Sequence, residues 1–479
     1  MGVIAGKDGK TGKDGKIGVA ILGYGVVGKG VAHAIRHNSR LIEEKTGYAL
    51  RLMHVLDLLD FPDSPDSALV THDARDIMLD KDVRVVVETM GGIRVAFDYT
   101  KEALSNKKHV VTSNKELVAE YGPELLELAA LNGVSYRFDA SVGGGIPLII
   151  PIGECLAANS FDEISGILNG TTNYMLTYME SNGMQFMETL CKAQEKGYAE
   201  REPSADIDGH DACRKLAILS SIAYNSFLDW KKIHTEGIGG VTLEDVQRAA
   251  DLGRALKLIA RIRKAPDGGF EAFVLPAMIS CESQLANVDG VFNAVVARGD
   301  LTGEVMFYGW GAGSLPTGSA IVADIVKAVS AERNHMPEHG ASIRPEHGDR
   351  INPEHGASIK PCWDREAALR LAEFDTYVHG FYARVGAPDP AAYAKALFGE
   401  FAEAVLLPDM PPACVGGGGS PVGNDGSCAS DGRTDASSGR SVIFTVPDMR
   451  EGEFRDKLAR VNASVPGAKT GFIARLIYV

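Results

Sequence analysis

An α/β fold with a doubly wound parallel sheet is predicted by three observations. An apolar strand, residues 17–22, runs straight into Gly23-Tyr24-Gly25-Val26-Val27-Gly28, a GxGxxG, and an amphipathic helix over 31–41 follows. Strand and helix patterns then alternate to about residue 139, the order that builds a parallel sheet. Finally, the strands end on polar residues, Asp57, Thr89 and Lys115, at the edge where such sheets bind ligands.

The elements follow in chain order. Residues 1–16, MGVIAGKDGKTGKDGK, lack the apolar core of a leader and read as a disordered arm. Gly23 permits the tight turn, Gly25 lets backbone approach a pyrophosphate, and Gly28 lets helix pack on strand. With Val26 and Val27 they form a turn at a helix N-terminus, which favours an anion. A plain strand–turn–helix is the alternative. Asp57 ends the strand 51–56, where an acid bonds a ribose 2′-hydroxyl and repels a 2′-phosphate. The loop after it, LLDFPDSPDS, has no basic residue, which leans toward NAD over NADP. An Asp/Pro-rich turn also accounts for this aspartate.

The strand 84–88 ends at Thr89, and a helix over 95–105 follows. The strand 110–112 ends in Ser113-Asn114-Lys115. A helix over 123–131 leads to a strand at 135–139. Lys115 is placed to touch a cofactor or a substrate carbonyl; a surface lysine opening a helix is the bland reading. ASVGGGIP, 140–147, presents backbone groups to a ligand or ion, acts as a hinge, or does both.

The stretch 196–215, KGYAEREPSADIDGHDACRK, holds Glu200, Glu202, Asp206, Asp208, Asp211 and Lys215. Residues 203–209 carry loop chemistry. Asp208 is the expected N-cap, which puts Asp211 in the first helical turn and Lys215 four residues on, on the same face. Such a group binds a small zwitterion and moves a proton. The alternative is a solvated acidic loop before an ordinary helix. Further on, 244–264 reads as an amphipathic helix, with strands near Phe273 and over 292–297. In Asn169-Gly170-Thr171-Thr172-Asn173 a helix-capping role is favoured over substrate contact, with the helix over 174–179.

The 479 residues allow two or three domains, and 45% hydrophobic with 23% charged residues is a globular composition. A net charge of -14 argues against nucleic-acid and anionic-membrane partners. Seven cysteines without a CxxC pair read as reduced thiols in a cytoplasmic protein. No apolar run nears the roughly 18 residues of a membrane span.

The blocks GYGVVG (23–28), VVTSNK (110–115), ASVGGGIP (140–147), GILNGTTNYML (166–176), KGYAEREPSADIDGHDACRKLAI (196–218) and GWGAGSLPTGSA (309–320) together resemble the homoserine dehydrogenase family. The resemblance implies a Rossmann-like cofactor domain over 17–139, completed by 309–330. It also implies a substrate and dimerisation domain over 140–308, and assembly as a homodimer or homotetramer. The implied reaction interconverts L-aspartate 4-semialdehyde and L-homoserine with NAD or NADP, a step toward threonine and methionine. Matched residue by residue, Glu200 holds the substrate, and Asp206 and Asp211 are active-site aspartates. Lys215 is the proton donor, Lys115 stands beside nicotinamide and carbonyl, and Gly197 and Gly313 contact cofactor. Family members also bind a monovalent cation, Na+ or K+. The matching ligands are the carbonyls of Val142, Gly144 and Ile146, with Asp139 where most relatives carry glutamate.

The tail departs from this pattern. PEHG occurs at 337–340, 345–348 and 353–356, inside a low-complexity linker, 331–372, that gives no fixed metal geometry. Residues 373–479 read as βαββαβ with a flexible insertion at 416–440 and resemble a ligand-binding ACT module. The turn Gly386-Ala387-Pro388-Asp389 lacks the glycine that such modules use to expose backbone to an effector. Assembly is therefore expected there in preference to threonine sensing. The competing functions are a dehydrogenase of the same plan acting on another small aldehyde or amino acid, and a catalytically dead redox sensor. The retained lysines and carboxylates count against the sensor.

Overall fold

The computed structural model describes residues 16–333, 363, 368–408 and 441–477. The arm short of Lys16, the PEHG repeats and the insertion at 416–440 lie outside the described residues. The chain forms two compact units. The first comprises Met1–Leu168, Asp211–Ile233 and Phe292–Arg370; the second comprises Asn169–His210, His234–Val291 and Leu371–Val479.

The first unit opens with β1 (Ile17–Leu22), α1 (Val26–His37), α2 (Ser39–Thr46), β2 (Leu50–Leu56), β3 (Val70–Thr71), α3 (Arg75–Met78), β4 (Val83–Glu88), α4 (Arg94–Ser105), β5 (His109–Thr112), α5 (Lys115–Asn132) and β6 (Tyr136–Arg137). All neighbouring strands are parallel, in the order β3-β2-β1-β4-β5-β6. This is the doubly wound order. All six residues of β1 are buried, as a central parallel strand covered on both faces requires.

Several boundaries differ from the sequence reading. The helix expected over 31–41 starts at Val26, directly on the glycine turn, and breaks at Asn38. The helix expected from Pro123 begins at Lys115 and runs through the proline. Asn114 caps it by accepting the Leu117 N–H at 3.0 Å, and Leu117, Val118, Leu125 and Ala129 bury one face across the proline. Packing there outweighs the local cost of Pro123. The strand expected to reach Asp139 ends at Arg137, and Asp139 opens a 3-10 turn.

Next come β7 (Phe161–Ile167), α6 (Gly170–Asn182), α7 (Phe186–Glu195), α8 (Ser204–Ile207), α9 (His210–Ala223), β8 (His234–Thr235), α10 (Leu243–Asp251), β9 (Arg254–Lys264), β10 (Phe270–Ser280), β11 (Phe292–Gly299), β12 (Gly303–Trp310) and α11 (Ser314–Arg333). The helix expected over 244–264 is half wrong. Gly253, at φ +67, ends α10, and the apolar run after it is buried on both faces as strand β9. An alternation of Leu, Ile and Ala satisfies either period when every position is buried. In the first unit β7, β11 and β12 form an antiparallel ladder. There too α11 packs on α1, with Ile321, Ile325 and Val329 in the core of Val19, Val31 and Ile35. Gly30 and Gly318 make that approach possible: a Cβ on Gly30 would lie 2.1 Å from the Ser314 carbonyl oxygen.

The second unit ends with β13 (Val378–Gly386), α12 (Pro390–Glu400), β14 (Val405–Leu406), β15 (Ser441–Arg450), α13 (Glu451–Ser464) and β16 (Lys469–Ile477), the expected βαββαβ order. Its strands line up β16-β13-β15-β14, all antiparallel, and β16 joins β10 in parallel. Asp389 caps α12 by accepting the Ala392 N–H at 3.0 Å.

Candidate active site

In the first unit, the glycine turn is shaped by close backbone approach. Gly23 has φ +91, and a Cβ on Gly28 would stand 2.1 Å from the Gly23 carbonyl oxygen. Nothing lies within 4 Å of a Cβ built on Gly25, and no side chain caps α1 there. A helix N-terminus left open in this way suits a pyrophosphate. Val26 is exposed beside it. Thr89 braces the turn from β4, donating its hydroxyl to the Gly23 carbonyl at 2.8 Å. Asp57 stands at the end of β2; its Oδ2 accepts the Tyr24 N–H at 2.7 Å and its Oδ1 the Leu59 N–H at 3.0 Å. Gly313, at φ +132, comes to the same place, since the next residue, Ser314, donates to the Val26 carbonyl at 2.7 Å.

Two lysines meet one aspartate in this unit. Lys115, the first residue of α5, puts Nζ 2.9 Å from Asp211 Oδ1. Lys215 Nζ lies 2.8 Å from Asp211 Oδ2 and donates to the Leu168 carbonyl at 2.8 Å. Asp211 and Lys215 are buried, while 38% of the Lys115 side chain is exposed. The expected helical spacing of Asp211 and Lys215 holds. The expected cap does not: Ser204–Ile207 forms α8, Asp208 ends it, and Gly209 precedes α9. Helices α5 and α9 are tied by Glu116–Arg214 at 3.0 Å, and Glu120 binds both Lys231 and the Trp230 indole.

The 140–147 turn is left-handed at Gly143 (φ +78) and Gly144 (φ +57). A Cβ on Gly144 would stand 2.5 Å from the Gly311 carbonyl oxygen, and Gly145 N–H donates to Trp310 at 3.2 Å. Val142 and Ile146 are buried within it. Asp139 Oδ1 accepts the Ile149 and Ile150 N–H groups at 2.7 and 3.3 Å, and its own N–H donates to Asp324 at 2.8 Å. Burial raises the Asp139 carboxyl, and burial beside Asp139 raises Asp324 to about 7.

Glu200, Asp206 and Gly197 belong to the second unit. Gly197, at φ +71, follows the end of α7. The Glu200 carbonyl accepts from Gln194 at 3.0 Å, and Asp206 accepts from the Asn169 amide at 2.7 Å. The capping role expected within 169–173 falls to Asn169, rather than Thr172 or Asn173, at the start of α6. Thr172 donates back to Asn169, and Asn173 to the Val288 carbonyl. Sequence reasoning missed Glu88, Asn114 and the Leu168 carbonyl, and of these Glu88 alone left a signal, a carboxylate closing a run of valines.

A parallel dinucleotide-binding sheet with a lysine–aspartate–lysine group defines an NAD(P)-dependent oxidoreductase. Family models agree: residues 23–139 match the homoserine dehydrogenase NAD-binding domain and 147–326 match homoserine dehydrogenase. The homoserine dehydrogenase of Neisseria gonorrhoeae is 40% identical over 67% of this chain and 75% of that protein. That of Pseudomonas aeruginosa is 40% identical over 65% and 72%. The crystal structure of a homoserine dehydrogenase from Thiobacillus denitrificans matches with a TM-score of 0.78 and 31% identity, over 97% of this chain and 98% of that one. A hyperthermophilic archaeal homoserine dehydrogenase in complex with NADPH matches with a TM-score of 0.55 and 27% identity, over 66% and 98%. The chain belongs to the homoserine dehydrogenase family. It is an NAD(P)-dependent oxidoreductase that interconverts L-aspartate 4-semialdehyde and L-homoserine. No helix among the described residues is long and apolar enough to cross a membrane.

Proposed function

We propose that Lys215 protonates the reacting oxygen, that Lys115 polarises it, and that Asp211 holds both ammonium groups. The carrying observation is that one buried carboxylate lies within 3 Å of both nitrogens, at 2.9 and 2.8 Å. An ammonium has three donors. Asp211 and the Leu168 carbonyl take two from Lys215 and leave one for substrate. The nicotinamide, when bound, supplies the hydride to the aldehyde carbon. Lys215 then gives its proton to the alkoxide that forms, and takes it back in the reverse direction. Glu200 and Asp206 hold the amino-acid end, the ammonium of the substrate calling for carboxylates. In steady-state assays, Lys215→Ala lowers kcat, whereas Glu200→Gln raises KM for the amino acid and changes kcat less. The reverse pattern would reject these roles.

Asp57, fixed by two N–H groups at the end of β2, favours NAD; side-by-side assays with NAD and NADP decide it. Gly23, Gly25, Val26, Val27, Gly28, Thr89, Gly197 and Gly313 complete the cofactor contacts. Oxygen donors suit a hard monovalent cation, Na+ or K+. The carbonyls of Val142, Gly144 and Ile146 would hold it, and the buried Asp139 carboxylate would balance its charge. Tyr308 and Trp310, exposed on strand β12, support assembly of a homodimer or homotetramer. We take 17–139 with 309–330 as the cofactor domain, 140–308 as the substrate and dimerisation domain, and 373–479 as an ACT-like assembly module, in a cytoplasmic enzyme.

A further inference from the structure

Glu88 ends β4 with its side chain fully buried. Its Oε1 accepts the Met90 N–H at 2.8 Å, and its Oε2 accepts the Thr112 hydroxyl at 2.5 Å. Thr112 ends the neighbouring strand β5, and its oxygen accepts the Asn114 N–H at 2.9 Å. Asn114 donates its amide to the Gly92 carbonyl at 2.8 Å and caps the Leu117 N–H. These bonds join the loop after β4 to the loop after β5. The first loop carries Thr89, bonded to the Gly23 carbonyl. The second delivers Lys115 to Asp211.

A carboxyl in this place is costly for packing alone. Burial pushes it up to about 7, against the opposing effect of Thr112, Met90 N–H and Asn114. The three residues before it are valines, and a fourth apolar residue would fill the sheet without burying a carboxyl. We propose that Glu88 is a positioning residue of the reaction: through Thr112 and Asn114 it holds the Lys115 loop and the Thr89 side of the glycine turn as one rigid edge. This rests on the reading of Lys115 as a group that acts on the reacting oxygen.

The test compares kcat and KM for Glu88→Ala, Glu88→Gln and Thr112→Val, with Lys115→Met as control. A glutamine accepts from Met90 with its oxygen and donates to Thr112 with its amide, so it preserves the link. Glu88→Ala and Thr112→Val are expected to lose kcat by on the order of 10- to 100-fold, as small displacements of a catalytic group do, with KM within about twofold. Glu88→Gln is expected to stay within about threefold of the wild type. Thr112→Val removes one hydroxyl and keeps the volume, so it decides the matter if Glu88→Ala fails to fold. Wild-type kcat in Thr112→Val, or equal losses in Glu88→Ala and Glu88→Gln, overturns the proposal while an inactive Lys115→Met leaves the reading of Lys115 standing. An active Lys115→Met overturns that reading instead.

Discussion

The Lys115 ammonium lies 2.9 Å from the carboxylate of Asp211, a residue 96 positions later in the chain (211 − 115). The second carboxylate oxygen meets Lys215 at 2.8 Å, so one side chain sets the position of two cations. Replacing it by asparagine keeps the shape and removes the charge. Asp211→Asn is expected to lower kcat by about 100-fold. Unfolding in denaturant should show a loss of about 3 kcal/mol, because the Lys215 ammonium stays buried without its counter-charge. The more exposed Lys115 pair adds little to that.

Gly28→Ala tests the glycine turn. The new methyl would stand 2.1 Å from the Gly23 carbonyl oxygen, with backbone on the other side of the clash. Either α1 shifts off β1 or the turn opens. A stability loss of about 3 kcal/mol is expected, together with weakened cofactor binding in a fluorescence titration. Gly25→Ala meets no such clash, since nothing lies within 4 Å of its Cβ, and should lose cofactor affinity while keeping the melting temperature.

His379 governs part of the acid response of the second unit. Burial, then the charges of Arg475, Arg261 and Arg263, lowers its pKa to about 3 from an ordinary 6.5. The unfolded chain therefore binds a proton below pH 6.5 that the folded chain refuses until about pH 3. Stability falls as pH drops through that window. His379→Leu, set among Phe273, Tyr377 and Phe381, should remove on the order of 3 kcal/mol of the loss between pH 6.5 and 4. Denaturant melts at both pH values measure it.

Threonine should leave the enzyme's activity unchanged. On the proposed ACT-like reading, the turn after β13 has Asp389 where an effector-binding module would carry glycine, and its carboxylate is committed to capping α12. Assays with and without excess threonine, supported by calorimetry, read the outcome directly. Inhibition with heat of binding would return the C-terminal module to an effector role.

Most of what positions the site was legible because it is local. GxGxxG between an apolar strand and a helix, a lysine shortly after a strand, and Asp211 four residues before Lys215 each declare themselves over a few residues. The errors fall where packing overrides local pattern. Pro123 sits inside α5 because buried residues flank it on both sides. Residues 254–264 form a strand because both faces are covered. Asp208 was expected to cap α9, but the preceding residues had already coiled into α8. The bonds from Glu88 to Thr112, and from Lys215 to the Leu168 carbonyl, join residues 24 and 47 positions apart, a distance no local pattern encodes.

The central claim is that the Lys215 ammonium itself delivers the proton. Restoring that ammonium from solution tests it most directly. Lys215→Ala should bind cofactor normally and lose kcat by about 100- to 10,000-fold. Added methylamine or ammonium should then recover part of the lost rate, rising with the concentration of the protonated amine. A folded, cofactor-binding Lys215→Ala enzyme that keeps near-wild-type kcat, or one that no small amine rescues, would contradict the account.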